Sequence, residues 1–214
     1  DAWLEDIVRN LEENAEAICL MEVLKDRLKE EETKEEEDDA YDEHVWLSLT
    51  NAMVCCKAIN TCLKKLDPAH ASVYEDNADT YIDKLESLDT EYRKMVEEAG
   101  KDVLLFGDRF PFLYLTTDYG LTYYAAFPGC SAETEASFET VRFLAEKVEE
   151  LDLSCVLTVE GSDQKIASTI IGNTEKKDAG ILVMDSMENT TPEEDVSYLD
   201  CMKKNLSVLK EALE

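Results

Sequence analysis

The sequence predicts an α/β chain of two lobes joined by one long spine helix. The C-terminal lobe is expected to hold a four-stranded, mainly parallel sheet flanked by helices, and the N-terminal lobe to be incomplete. Two patterns carry this reading. After residue 101, short apolar runs alternate with amphipathic stretches long enough to be crossover helices, and such alternation implies parallel strands covered by helices. Before that point, Tyr74, Ala78, Tyr81, Leu85, Leu88, Tyr92 and Met95 recur at near-heptad spacing. At 1.5 Å per residue that helix is about 45–50 Å long, too long for one small lobe and suited to a spine between two.

The elements follow in order. Residues 2–12 read as an amphipathic helix with Trp3, Leu4, Ile7, Val8 and Leu11 on one side. Residues 16–24 form an apolar run of strand length. Residues 29–43 are dominated by Glu and Asp. Such a block repels itself and buries no core, so it reads as a solvated loop or as a weak cation collector near a metal site. Ser48 can cap a helix over 48–66, with Ala52, Cys55, Ile59, Cys62 and Leu66 on its stripe. Asp67-Pro68 opens the spine helix, and Gly100 closes it. Strands are expected at 103–106, 121–127, 153–159 and 181–184, and helices at 110–119, 137–149, 163–172 and 192–213. The expected division is 1–66, remainder of the first lobe; 67–100, spine; 101–214, α/β lobe.

Composition narrows the partners. Among 214 residues, 21 are basic and 50 acidic, a net charge of −29. Phosphate neutralisation needs Lys and Arg stripes, so nucleic acid is excluded as a partner. Cations are the natural attraction, although solubility alone explains the charge of most acidic proteins. No stretch approaches the roughly 18 apolar residues of a membrane span. The opening residues Asp1 to Asp6 match no leader or initiator, so an upstream leader or larger piece is expected. The seven cysteines form no C-x-x-C pair; Cys55, Cys62 and Cys155 read as core residues.

Ligands of open parallel sheets bind at the carboxyl ends of the strands. Here those ends read Gly107-Asp108-Arg109, Pro128-Gly129-Cys130-Ser131 with Glu133 and Glu135, Glu160-Gly161-Ser162, and Asp185-Ser186 with Glu188. Three of the four hand over directly to a carboxylate, against a background in which chance also supplies acids. Of the two histidines, His70 reads as a surface residue. His44 lies between the acidic loop and a helix start, and imidazole with carboxylates suits zinc or manganese. Nucleophile elbow, P-loop, G-x-G-x-x-G and H-E-x-x-H patterns are missing from the sequence, so a binding protein is expected and not an enzyme.

The segment Tyr41-Asp42-Glu43-His44-Val45-Trp46-Leu47-Ser48 resembles the D-x-H-x-W-x-S stretch of zinc and manganese ABC-transporter solute-binding proteins. The resemblance continues through Leu66-Asp67-Pro68, Tyr74, Asn77-Ala78, Tyr81 and Leu85, then Phe106 to Phe112 and Asp118 to Leu121. Ala126 to Ser131 with Glu133 and Glu135, and Tyr198-Leu199 with Met202 and Asn205-Leu206, complete it. It implies metal held in a cleft between lobes by one residue from each of four segments. Three of these map to His44, Asp108 and Asp185, with Glu188 and Glu160 as possible additional ligands. The first family ligand lies upstream of Asp1. The oxygen-rich remainder favours manganese more than a three-His site would. The resemblance further implies Zn²⁺ or Mn²⁺ as transported ligand, ABC permease subunits as partners, a monomer, and an extracellular, lipid-anchored location. The alternative is a degenerate member serving as an adhesion or scaffold module.

Overall fold

The computed structural model describes residue 8 and residues 15–30, 41–127, 129, 136–176, 178–189 and 196–214. The helix expected over 2–12 apart from residue 8, most of the acidic loop, the stretch from Cys130 to Glu135 and the expected helix start at Pro192 lie outside the described residues.

The first described elements are a single helical turn, α1 (Leu20–Val23), and a 3₁₀ turn at Lys25–Arg27. This corrects the strand expected over 16–24. A strand would point Met21 and Leu24 to opposite faces. One helical turn puts both on the same side, where they pack with Val45 and Tyr114 in a small cluster of their own. Ile18 and Leu20 are left exposed.

A 3₁₀ turn at Val45–Leu47 leads into α2 (Leu49–Leu66). Ser48 caps α2 by accepting from the Asn51 N–H at 3.0 Å, which satisfies one of the donors a helix start leaves open. Pro68–His70 forms a 3₁₀ turn that feeds α3 (Ala71–Glu98). At 28 residues, α3 runs about 42 Å. Its buried positions are Ile82, Leu85, Leu88 and Tyr92, one stripe at helical spacing, and it also packs along α2 with Tyr74, Ala78 and Tyr81 half-buried.

The sheet then assembles from β1 (Val103–Phe106), β2 (Thr122–Ala125), β3 (Cys155–Val159) and β4 (Gly180–Met184). Its order is β2-β1-β3-β4 and every pairing is parallel. The connections carry α4 (Leu113–Tyr119), α5 (Phe138–Glu150) and α6 (Lys165–Gly172), and α7 (Tyr198–Leu213) follows β4. Gly120 closes α4 at φ 68°, a left-handed turn that suits a residue without Cβ. The strands match the expected ones: β1 has the expected bounds, β4 starts one residue earlier, and β2 and β3 are shorter because only the paired residues of those apolar runs form ladders.

Apolar side chains fill both faces of the sheet. One face packs Phe106, Leu157 and Met184 with Leu85, Leu88 and Tyr92 of α3 and with Met202, Leu209 and Leu213 of α7. The other packs Leu105 and Val156 against Val141, Leu144, Ala167 and Ile170 of α5 and α6. Burial on both sides explains why every residue of β3, Thr158 included, is buried and burial does not alternate along it. The first cluster also takes in Leu47 and Leu49, so the entrance to α2 shares a core with the sheet. At the exit of β1, Gly107 meets α6 so closely that an added Cβ would lie 2.6 Å from the Ala167 Cα.

Candidate metal centre

The segment before α2 is anchored by its backbone. Asp42 donates its N–H to the Lys29 carbonyl at 2.9 Å, and its own carbonyl accepts from the Tyr114 hydroxyl at 2.8 Å. The side chain of Asp42 then turns onto His44. One carboxylate oxygen accepts from the His44 backbone N–H at 2.9 Å and from Nδ1 at 3.1 Å. Both residues are 1% exposed. A carboxylate only accepts, so the contact places a proton on Nδ1 and directs the imidazole through Nε2.

Nε2 of His44 lies 2.7 Å from Oε1 of Glu188, whose side chain is 30% exposed. The two residues are 144 positions apart. With Nδ1 protonated, Nε2 of a neutral ring is an acceptor, and so is the carboxylate. The pair holds together only with something positive between them: a proton, or a cation that takes electron pairs from both.

Two hydrogen bonds run beside this contact. The Trp46 indole N–H donates to the Ser186 carbonyl at 2.9 Å, and the Tyr198 hydroxyl donates to the Trp46 carbonyl at 2.7 Å. Burial pushes the Tyr198 phenol well above its ordinary range, so it stays a donor. Ser48 and Thr50 both donate to one oxygen of Asp118, at 2.6 and 3.2 Å. The D-x-H-x-W-x-S residues therefore divide their work. Asp42 orients the ring, Trp46 ties the segment to the exit of β4, and Ser48 starts α2 and fastens it to α4.

The turn after β4 is held as firmly. Asp185 and Asn205 exchange two hydrogen bonds at 2.8 Å, backbone N–H to side-chain oxygen and side-chain N–H to backbone carbonyl. The Asp185 carboxylate accepts from the Met187 N–H at 3.0 Å. Glu160 accepts twice from Ser186, from the N–H at 2.7 Å and the hydroxyl at 2.6 Å. Met187 takes a left-handed φ of 62°, a conformation that costs a non-glycine residue about 1–2 kcal/mol and persists because these bonds over-determine the turn. Burial, and then the Asp185 carboxylate beside it, raise the Cys201 thiol.

Of the residues singled out from sequence, the structure brings His44 and Glu188 together. Asp108 accepts from the Arg109 N–H at 2.9 Å and the Val159 N–H at 3.4 Å, and Asp185 and Glu160 are likewise turned onto backbone donors. Among the described residues, no group of three or more His, Cys, Asp or Glu side chains is spaced to hold a metal ion. His70 is a surface residue paired with Asp67 at 2.7 Å, and that pair, with a hydrogen bond from Tyr74, lowers the Asp67 carboxyl. Sequence reasoning assigned no role to Asp42. Its spacing two residues before a candidate ligand was the available signal, since metal-ligating histidines are commonly oriented by a carboxylate on the other ring nitrogen.

A profile of the family described as zinc-uptake complex component A, periplasmic, matches residues 1–212. The high-affinity zinc uptake system protein ZnuA of Bacillus subtilis is 30% identical over 174 residues, covering 81% of this chain and 54% of that protein. The zinc-binding lipoprotein AdcA of Streptococcus pneumoniae strain R6 is 31% identical over 179 residues, covering 81% of this chain and 34% of that protein. The chain thus spans about half or less of the length of these relatives. Among solved structures, the metal-dependent lipoprotein YcdH from Bacillus subtilis superposes with a TM-score of 0.78 at 28% identity, over 99% of this chain and 76% of that one.

Proposed function

This chain belongs to the zinc-uptake complex component A family, and from that premise we propose that it forms the metal-capturing part of the solute-binding component of a bacterial ABC importer. The cargo is a divalent cation, zinc or manganese, which the protein hands to permease subunits on the extracellular side of the membrane. In this reading residues 67–100 are the spine between 1–66 and 101–214. The full-length protein is a lipid-anchored monomer that works by binding and not by catalysis.

The observation that supports this is the 2.7 Å approach of His44 Nε2 to Glu188 Oε1. An imidazole nitrogen already oriented by Asp42 and a half-exposed carboxylate are a fitting start for a zinc or manganese site. Among the described residues His44 and Glu188 supply ligands, and the cation displaces the proton between them. Asp185 and Asp108, the other candidates, shape the turns at the strand ends and stand as reserve oxygen donors. These are the ligands that the described residues offer. The low histidine content, two in the chain, favours a second reading, a family member that binds metal weakly and serves as an adhesion or scaffold module.

Calorimetric titration of zinc and of manganese into the full-length protein, beside Glu188→Ala, separates the two. Uptake of one ion per chain, weakened at least about tenfold in the variant (roughly 1.4 kcal/mol), is the expected result. Unchanged affinity in Glu188→Ala would move the site elsewhere. Failure of either metal to bind would favour the adhesion module.

A further inference from the structure

Glu188 reaches His44 from a turn, and a turn is a poor platform for a ligand unless something fixes it. Here the fixing point is Ser186, which is 1% exposed. Its N–H and hydroxyl both go to Glu160, its carbonyl accepts from the Trp46 indole, and its hydroxyl oxygen accepts the Glu188 N–H at 3.4 Å. Ser186 is two residues from Glu188, and Trp46 is two residues from His44. The Trp46 bond therefore joins the two ligand-bearing segments at equal distance from their contact, and Glu160 holds the joint from β3.

We infer that Glu160 is the positioning residue of the metal site: it fixes the turn through Ser186 and so sets how long Glu188 stays on the cation, without touching the cation itself. The inference rests on the metal-site reading above. Glu160 suits this role because both of its oxygens are engaged by donors of one residue. A glutamine there keeps the length of the side chain, and its oxygen can still accept from the Ser186 N–H, but its NH2 group obliges the Ser186 hydroxyl to turn round and accept, and both bonds lose the charge assistance of the carboxylate. The turn then keeps its strained Met187 conformation with less to hold it. Loss of a residue that orients a ligand commonly costs about 10–100-fold in metal affinity.

The test combines a rate, a spectrum and a double-mutant comparison in the full-length protein. Zinc release to excess chelator is followed in wild type, Glu160→Gln, Glu188→Ala and the double variant, and Co²⁺ absorption reports the ligand set. Glu160→Gln is expected to release zinc about tenfold faster than wild type with Co²⁺ band positions unchanged. In the Glu188→Ala background, Glu160→Gln is expected to add nothing, because its effect passes through Glu188. Shifted Co²⁺ bands in Glu160→Gln would make Glu160 a ligand and overturn the inference. So would wild-type release kinetics in Glu160→Gln, or a full additional effect in the double variant. If Glu188→Ala itself releases zinc like wild type, the metal-site reading fails, and that outcome is separate from the others.

Discussion

Replacing His44 by alanine is expected to weaken zinc binding by about a hundredfold or more, roughly 2.7 kcal/mol. The substitution removes the one imidazole that the structure directs at Glu188, and Asp42 then has nothing to orient. The Asp42 carboxylate keeps the backbone N–H of residue 44 but loses the Nδ1 donor. A buried acceptor left short of partners costs about 1–3 kcal/mol, so the variant should also melt earlier than wild type without metal. Thermal unfolding with and without zinc reads both effects. A ligand that binds only the folded state stabilises it by RT ln(1 + L/Kd) at free concentration L, so zinc at a concentration above the wild-type Kd and below that of the variant should raise the wild-type midpoint and leave that of His44→Ala in place. An equal zinc-induced shift in both proteins would mean that the ion binds elsewhere.

Gly107→Ala is expected to destabilise the chain by about 3 kcal/mol. The added Cβ would lie 2.6 Å from the Ala167 Cα, 2.8 Å from its Cβ and 2.9 Å from its N. Two of these three atoms are backbone atoms of α6, so the strand exit and the helix must separate. Overpacking of this kind costs about 1–3 kcal/mol and sometimes more. Gly172→Ala is the internal control. It lies at the end of the same helix with nothing within 4 Å of the added Cβ, where replacing glycine in a helix gains up to about 1 kcal/mol. Urea unfolding of the two variants should move in opposite directions. The displacement of α6 also pulls on the loops after β1 and β3, where Asp108 and Glu160 lie, so Gly107→Ala should loosen metal binding as well.

How much of this was legible in the sequence depends on the distance over which each feature is decided. The four strands and α2, α3 and α5 were legible because their periods are local: Ser48 caps its helix as the sequence indicates. The turn at residues 20–23 was not, because a nine-residue apolar run does not reveal that Met21 and Leu24 share a partner in Tyr114. In the candidate site, the D-x-H-x-W-x-S setting singled out His44, whose ring the structure orients by Asp42. Asp185 stood ahead of Glu188 because a carboxylate at the end of a strand is the simplest reading of a parallel sheet. The left-handed φ of Met187 swings Glu188 instead toward a residue 144 positions earlier, and no local pattern encodes that turn. The same holds for Glu160, which looked like a ligand from its position at a strand end and whose oxygens are engaged by Ser186.

Zinc-edge anomalous diffraction from crystals of the zinc-loaded full-length protein tests the central claim most directly. Two bonds of about 2.0 Å at a near-tetrahedral angle set the ligand atoms about 3.3 Å apart, whereas His44 Nε2 and Glu188 Oε1 stand at 2.7 Å here. The account predicts an anomalous peak within bonding distance of both atoms, with the pair opened by about 0.6 Å and Asp42 still on Nδ1. A peak away from His44, with the 2.7 Å contact intact, would contradict it.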